Sequence, residues 1–228
     1  MVADTSLTSR PVHADELLTR ERLLLAGVKA FSVSGFDGVS VRDVERQAGV
    51  NRGVAGYHFG SKEQLWKGCI EWLMAGCHAE MQRYSDLLRV VSGPERRRVL
   101  LTAFVEFVAR RPEFFRMLVI DGMYPSERTG WAVEGLRETL RFFDEVSGRP
   151  KAAPSEDAAA AYMFLGAASM AFAVPAQCRY LFGFDPTEPG FLSSFSRAVS
   201  GLGVLEPTIE HQNTEHQNTE QQNTGGWR

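Results

Sequence analysis

Residues 40–64, SVRDVERQAGVNRGVAGYHFGSKEQ, constrain the fold more than any other stretch because they contain the boundaries of three successive helices. Ser40 is a favourable N-cap, and Gly49 offers the left-handed backbone conformation that ends a helix at little cost. Asn51 is the expected N-cap of a second short helix, and Ser61 opens a capping box for a third. Two helices joined by a turn of about four residues form a helix-turn-helix, whose second helix can enter the major groove of DNA.

The turn and the start of the second helix contain the first candidate contacts to DNA. Reading a sequence requires side chains that reach base edges, together with donors that fix the protein on phosphates. Arg52 is expected to contact a guanine edge and Val54 a thymine methyl group. Gly53 has no side chain that would block close approach to DNA. Asn51 is expected to cap the helix and to bond a phosphate as well.

The stretch AGVNRGVAGYHFGSKEQL, with TRERLLLAGVKAFSVSGFDGVSVRDV ahead of it, resembles the DNA-binding domain of the tetracycline-repressor (TetR/AcrR) family. The resemblance runs without a gap from Thr19 to Leu65. It implies an all-α fold, in which a three-helix helix-turn-helix domain precedes a helical domain for ligand binding and dimerisation. One departure is Ala55-Gly56, where the family usually carries Leu-Tyr. Since Gly inside a helix costs about 1 kcal/mol relative to Ala, we expect this helix to become firm when it docks on DNA.

The same resemblance implies roles for side chains around the second helix. Arg42 matches a family position that reaches DNA. Tyr57, His58 and Lys62 match positions that bind phosphates, and a helix N-terminus supports Lys62 in this role. For His58, a structural histidine is the alternative. The expected partner is double-stranded DNA with a palindromic operator, because the resemblance implies a homodimer.

The overall charge gives little support to DNA binding by itself. The chain has a net charge of −3 over 228 residues, so no general basic field indicates nucleic acid. Residues 40–67 carry five basic side chains against three acidic ones. A dimer presents this small local excess twice, which favours DNA only in combination with the motif.

The cysteines and the first residues indicate the chemical setting of the chain. Cys69, Cys77 and Cys178 are odd in number, and their spacing suits neither a zinc site nor a disulfide framework. We therefore expect reduced structural thiols, no metal and no cofactor. Residues 1–16 contain no apolar run of the kind found in a signal peptide, so a cytoplasmic location is expected.

Breaks in the hydrophobic pattern divide the chain into four segments. We expect a flexible arm over residues 1–14, the helix-turn-helix domain over 15–65, a helical regulatory and dimerisation domain over 66–205, and a disordered tail over 206–228. The tail is low in complexity and repeats Glu-His-Gln-Asn-Thr, a polar period that buries nothing. The first helix, expected to end at Ser34, has a predicted core stripe of Leu17, Leu24, Val28 and Phe31.

Residues 158–178 contain no charged side chain over 21 positions, which is long enough to span a bilayer. The segment is rich in Ala, Gly and Ser and contains Pro175. Small residues let helices approach closely, so a helix buried in a subunit interface is the favoured interpretation over a membrane span. A homodimer built from roughly residues 155–202 is therefore expected.

The second domain contains more aromatic and Met side chains than close packing requires, and the family resemblance implies a small, mostly apolar effector there. The alternative is that these side chains only fill the core. The predicted ligand-binding residues are Phe104, Phe107, Phe115, Met117, Trp131, Phe143, Tyr162, Met163 and Gln177. Polar contacts that would orient a ligand are expected from among Arg116, Asp121, Arg137 and Gln177.

These patterns favour one class of function over two others. The sequence has no nucleophile elbow, phosphate loop or paired-carboxylate motif, so no catalytic residues and no enzyme are predicted. A helical adaptor that binds only protein would leave the Arg52-to-Lys62 set without a purpose. The sequence therefore predicts a DNA-binding transcriptional regulator, released from its operator by a small apolar ligand. A helical adaptor and, below it, a helical enzyme remain the alternatives.

Overall fold

A computed structural model describes residues 12–147 and 156–201 of the chain. Over these residues every regular element is an α-helix, as the sequence predicts. The helices are α1 (Val12–Ser34), α2 (Val41–Ala48), α3 (Val54–Phe59), α4 (Lys62–Gln82), α5 (Ser85–Val90), α6 (Gly93–Arg110), α7 (Pro112–Gly122), α8 (Glu127–Ser147), α9 (Glu156–Ala173), α10 (Pro175–Phe182) and α11 (Pro189–Gly201).

Two of the sequence predictions concern the first and last residues, namely the flexible arm and the tail. Residues 12–14, assigned to a flexible arm from the sequence, instead form the first turn of α1. The rest of the predicted arm and the predicted tail lie outside the described residues. So does the side chain of Phe143, although its backbone belongs to α8.

Three helix boundaries in residues 15–65, called the head below, follow from local capping. The Ser40 hydroxyl oxygen accepts the backbone N–H of Asp43 at 3.2 Å, and the Ser61 hydroxyl oxygen accepts that of Gln64 at 3.2 Å. Gly49 has φ 64°, the left-handed conformation that ends α2. Arg22 of α1 donates to the Gly49 carbonyl at 2.9 Å, which ties the turn to the first helix. The predicted boundaries at Ser40, Gly49 and Ser61 are confirmed.

The core of the head lies between α1 and the three helices that follow it. Leu24, Val28 and Phe31 of the predicted stripe are buried, and they share one cluster with Val44 of α2. Leu17 was predicted to belong to the same stripe, but it is 66% exposed. The buried positions of α1 begin at Leu23, and residues 15–22 of the helix are exposed or half-buried.

Helix α4 connects the head to the second domain. It is 21 residues long, and its buried residues run from Leu65 to Met81. It packs along α8, where a side chain on Gly135 would place its Cβ 2.8 Å from Cγ of Met74. The absence of a side chain at position 135 therefore permits close contact between the two helices. As a result, the head and the second domain share one continuous hydrophobic core.

Prolines set two boundaries in the second domain. Pro112 opens α7 immediately after α6. The prediction of one continuous helix over residues 158–178 is wrong, because α9 ends at Ala173 and Pro175 begins α10. Proline has no N–H and clashes with the preceding turn, so it starts a helix more readily than it continues one. Arg116 binds the α9 terminus by donating to the Ala173 carbonyl at 2.7 Å.

The C-terminal helices leave apolar side chains uncovered. On α9, Phe172 is 1% exposed, whereas Met163 is 69% and Met170 47% exposed. On α10, Tyr180 and Phe182 are 92% and 67% exposed. Among the described helices, none is long and apolar enough to cross a membrane.

Candidate DNA-binding site

The second helix of the predicted motif is α3, which is six residues long. Its N-cap is Gly53, with φ 90°, and not Asn51 as predicted from the sequence. Asn51 lies two residues further out and contributes only its carbonyl, which accepts the Val54 N–H at 3.3 Å. Arg52 lies in the exposed turn ahead of the helix instead of in its first turn.

The first N–H groups of α3 are bound by a side chain of α2. Oε1 of Glu45 accepts the backbone N–H of Gly53 at 2.8 Å and that of Ala55 at 3.0 Å. Glu45 is 4% exposed. This role was not predicted from the sequence, although one signal was present. Glu45 is a charged residue on the same face of α2 as the buried Val44 and Ala48, and a buried charge requires a partner.

The predicted DNA contacts present a polar surface around α3. Arg42 at the start of α2 is exposed, as are Asn51, Arg52 and Gly53 in the turn. Tyr57 is 76% exposed, while Val54 and His58 are half-buried.

The rings of Tyr57 and His58 meet edge to face, with centroids 5.1 Å apart. The Tyr57 hydroxyl also donates to Oε1 of Glu16 on α1 at 3.5 Å. This contact is at the long limit of a hydrogen bond and lies on the exposed surface, so it constrains the phenol only weakly.

Gly56 leaves the middle of α3 open. A Cβ added at Gly56 meets no atom within 4 Å. Position 56 of this helix therefore accepts a side chain without strain in the free protein.

Lys62 is less available to solvent than its sequence position implies. It is half-buried, and its Nζ lies 4.2 Å from the ring centroid of Phe36, in the loop between α1 and α2. The guanidinium carbon of Arg128 lies 4.0 Å from the same ring centroid. Cations are attracted to the face of an aromatic ring, so Phe36 holds a cation from α4 and another from α8.

Asp121 of α7 joins the head to the second domain. It is 8% exposed, and it accepts the Trp66 indole N–H at 3.1 Å and the Arg128 Nε–H at 3.0 Å. Trp66 belongs to α4 and Arg128 to α8, and Arg128 also contacts Phe36 of the head. A buried carboxylate thus connects three helices at the point where the head meets the rest of the protein.

The predicted ligand-binding residues do not share one environment. Phe104, Phe107 and Met117 are buried in the core, with Met117 fully enclosed. Tyr162 and Met163 are 42% and 69% exposed on α9, and Gln177 is exposed on α10.

Two of the expected polar contacts are bound inside the protein, since Arg116 donates to Ala173 and Asp121 accepts from Trp66. Arg137 donates to Glu134 at 2.9 Å.

Two other predicted ligand-binding residues, Trp131 and Phe115, each line a concave site. Trp131 lines a groove of about 580 Å³ between α4 and α8, together with Ile70, Met74 and Gly135. Phe115 lines a pocket of about 380 Å³ that reaches Val33 at the end of α1. Among the described residues, no cluster of three or more His, Cys, Asp or Glu side chains has the arrangement of a metal site.

Comparisons with known proteins agree with the helix-turn-helix geometry. The family described as "Bacterial regulatory proteins, tetR family" matches residues 23–69. The HTH-type transcriptional repressor NicS of Pseudomonas putida (strain KT2440) is 33% identical over 108 residues, which are 46% of this chain and 49% of NicS. The HTH-type transcriptional repressor AcnR of Corynebacterium jeikeium (strain K411) is 27% identical over 145 residues, 61% of this chain and 66% of AcnR. The chain therefore spans about half to two thirds of the length of these curated relatives.

A solved structure extends the similarity to most of the fold. The regulator FadR from Bacillus subtilis, in complex with stearoyl-CoA, has a TM-score of 0.60 at 14% identity, covering 79% of this chain and 97% of FadR. At this identity the likeness concerns the fold alone. The capped helix-turn-helix, the match over residues 23–69 and the similarity to two repressors agree with one another. Over residues 23–69, which contain the helix-turn-helix, this chain matches the tetR family of bacterial regulatory proteins.

Proposed function

We propose that this protein is a sequence-specific DNA-binding regulator of transcription, acting as a repressor. The observation that carries the proposal is the exposed polar surface on a firmly capped helix-turn-helix, in the segment that matches the family. Arg42 is exposed at the start of α2 and Arg52 in the turn before α3, and Tyr57 on α3 adds a third exposed donor. The curated relatives NicS and AcnR are both described as transcriptional repressors, which supports this direction of control.

Each residue of this surface has a proposed task. Arg52 reads a guanine edge, and Val54 contacts a thymine methyl group. Gly53 permits the close approach that these two contacts need. The phosphates on either side are bound by a second set of residues, Arg42, Asn51, Tyr57, His58 and Lys62.

The proposed active form is a homodimer on a palindromic operator. A monomeric protein rarely exposes a large contiguous apolar patch, and the exposed Met163, Met170, Tyr180 and Phe182 lie on α9 and α10. Covering these side chains with a second copy places two heads side by side. Two heads read two half-sites about one helical turn, or a multiple of it, apart.

A small and mostly apolar effector is proposed to weaken DNA binding. The α4–α8 groove is the proposed site, because Ile70, Met74 and Trp131 line it and α4 leads directly to the head. Charged side chains such as Lys67 and Glu71 also line the groove and could orient a polar end of the ligand. FadR, which shares the fold, was crystallised with stearoyl-CoA, a ligand with a long apolar chain. An effector changes DNA affinity only by its differential affinity for two states, typically 1–3 kcal/mol, and operator DNA must weaken effector binding equally.

Selection of bound duplexes from a random double-stranded DNA pool tests the proposed function. A regulator of this kind enriches one palindromic motif, and the enrichment weakens as salt rises. A helical adaptor or an enzyme enriches no motif, which would overturn the proposal. A cytoplasmic location belongs to the same proposal, because the operator lies on bacterial DNA.

A further inference from the structure

We infer that Glu45 is a positioning residue for DNA reading, which acts by holding the start of the recognition helix α3 in register with α2. The inference rests on the proposed DNA-binding function and adds a residue to which no base or phosphate contact is assigned. Glu45 is 4% exposed in the free protein, so it acts on DNA through the backbone of α3.

The carboxylate replaces the cap that α3 lacks. The N-cap position is Gly53, whose backbone adopts φ 90° and which has no side chain to accept a hydrogen bond. Oε1 of Glu45 accepts the N–H groups of Gly53 and Ala55, at 2.8 and 3.0 Å. These groups belong to the N-terminal donors that a helix leaves without partners of its own. The acceptor comes from the preceding helix, so it couples the two helices of the motif directly.

Helix α3 needs such an anchor more than most helices do. It has six residues, a length at which an isolated helix is unstable in water. Gly56 in its middle is also less favourable than Ala. Ala55 is its buried residue, and Val54 and Phe59 are partly buried against the same core. Two hydrogen bonds to one buried carboxylate oxygen add directly to the packing that fixes its start.

The two hydrogen bonds to Glu45 lie where they can affect the recognition of DNA bases. Gly53 and Ala55 flank Val54, and Gly53 follows Arg52 directly. Fixing both N–H groups fixes the backbone that carries the two proposed base contacts. It also fixes their distance from Arg42, because Glu45 and Arg42 lie on the same helix. Glu45 thus sets the geometry in which Arg52 and Val54 meet the bases.

The test compares Glu45→Ala and Glu45→Gln with the wild-type protein. The probes are the duplex selected by the wild type and a scrambled duplex of equal length and composition. The amide oxygen of Gln accepts the same two hydrogen bonds, whereas Ala leaves two donors without a partner. Asp86→Ala is the matched control, since it also removes a carboxylate but from α5, with a side chain that is 91% exposed.

We expect Glu45→Ala to lose about tenfold or more in affinity for the selected duplex. Affinity for the scrambled duplex should change much less, because phosphate charge dominates non-specific binding. The ratio of the two affinities therefore falls in Glu45→Ala, stays within about threefold of wild type in Glu45→Gln, and is unchanged in Asp86→Ala. A merely structural role would lower thermal stability without changing this ratio in the folded protein.

Hydrogen exchange of the DNA-free protein provides the second measurement. The amides of Gly53 and Ala55 should exchange faster in Glu45→Ala, while amides in α8 keep wild-type rates. A wild-type affinity ratio in Glu45→Ala would overturn the inference, as would an equal loss in the Gln and Ala variants. Unchanged exchange at Gly53 and Ala55 would overturn it even if the wild type selected no DNA. That failure to select DNA would instead count against the proposed function.

Discussion

At the scale of single residues, Arg52 and Lys62 differ in surroundings although both are basic and close in sequence. Arg52 stands exposed in the turn before α3. Lys62 is half-buried at the start of α4, with its ammonium group against the Phe36 ring. An exposed side chain such as Arg52 can reach into a groove and contact a base edge. The Lys62 ammonium group is held on the protein surface, where it can contact a phosphate of the DNA backbone. The two residues should therefore fail in different ways when they are removed.

Arg52→Ala should cost about 1–3 kcal/mol per half-site and relax the preference at one base position. Lys62→Ala should weaken all DNA sequences alike and flatten the salt dependence. Binding titrations of both variants at several salt concentrations, with repeated selection from the random pool, measure these effects. Thermal melting of both variants is the control for folding. If neither the selected motif nor the salt slope changes, α3 is not the reading helix.

Burial of the thiols should make the stability of the folded protein depend on pH in the alkaline range. Burial raises the pKa of the Cys77 thiol from 9.0 to about 12, and it also raises that of Cys69. Above pH 9 the unfolded chain releases these protons while the folded protein keeps them, so stability falls as pH rises towards 12. Urea unfolding at pH 8, 9 and 10 should show this fall, and Cys77→Ala should reduce its slope. An equal slope in the variant would contradict the assignment.

At the scale of helices, the junction at Asp121 joins α4, α7 and α8. Each of its carboxylate oxygens has a separate donor, Trp66 Nε1 on one side and Arg128 Nε on the other. Arg128 then contacts Phe36 in the head. A shift of α8 relative to α4 would therefore change the support of the α1–α2 loop. This contact is a second physical connection, beside α4 itself, between the proposed effector groove and the head.

Asp121→Ala should lower the free energy of unfolding by about 1–3 kcal/mol, because the buried Trp66 N–H loses its acceptor. Urea denaturation with tryptophan fluorescence measures this change. Asp121→Asn keeps an acceptor oxygen for Trp66 and should fall between wild type and Ala. Asp86→Ala, on the exposed surface of α5, should change stability by less than about 0.5 kcal/mol. Equal stability of Asp121→Ala and wild type would refute a supporting role for the junction.

At the scale of the whole molecule, α9 and α10 have one buried side and one open side. Ala168, Ser169 and Phe172 of α9 are buried against the rest of the chain. Ala167 on the same helix is exposed, close in sequence to the exposed Met163 and Met170. The proposed dimer places this open side against its copy in a second protein. DNA binding then depends on the surface of α9 although α9 touches no DNA.

Ala167→Glu should give monomers that lose operator binding, because two buried carboxylates would face each other or lie close in a two-fold interface. Sedimentation at micromolar concentration measures the oligomeric state, and a titration with the selected duplex measures binding. Val90→Glu is the matched control, since it adds the same charge at an 81% exposed position on α5. A wild-type protein that sediments as a monomer at this concentration would rule out the dimer.

The sequence by itself determined three of the helix boundaries of the head. Ser40, Gly49 and Ser61 each act on backbone groups within a few residues, so their effect can be read without any knowledge of the fold. The all-α architecture was implied by the family resemblance, whereas Pro112 starts α7 by an equally local rule. The choice of Arg42, Arg52, Tyr57, His58 and Lys62 as DNA contacts stays a prediction that rests on the motif.

Contacts between residues distant in sequence were decided only by the tertiary structure. Glu45 instead of Asn51 caps α3, because the turn brings a side chain of α2 to amides eight and ten residues further on. Trp66 and Asp121 are 55 residues apart, and Lys62 lies against Phe36 instead of projecting into solvent. The aromatic side chains predicted to form one ligand site were divided between core, groove and surface for the same reason. Hydrophobic pattern and caps act along the chain, whereas the partner of a buried polar group depends on which helices pack together.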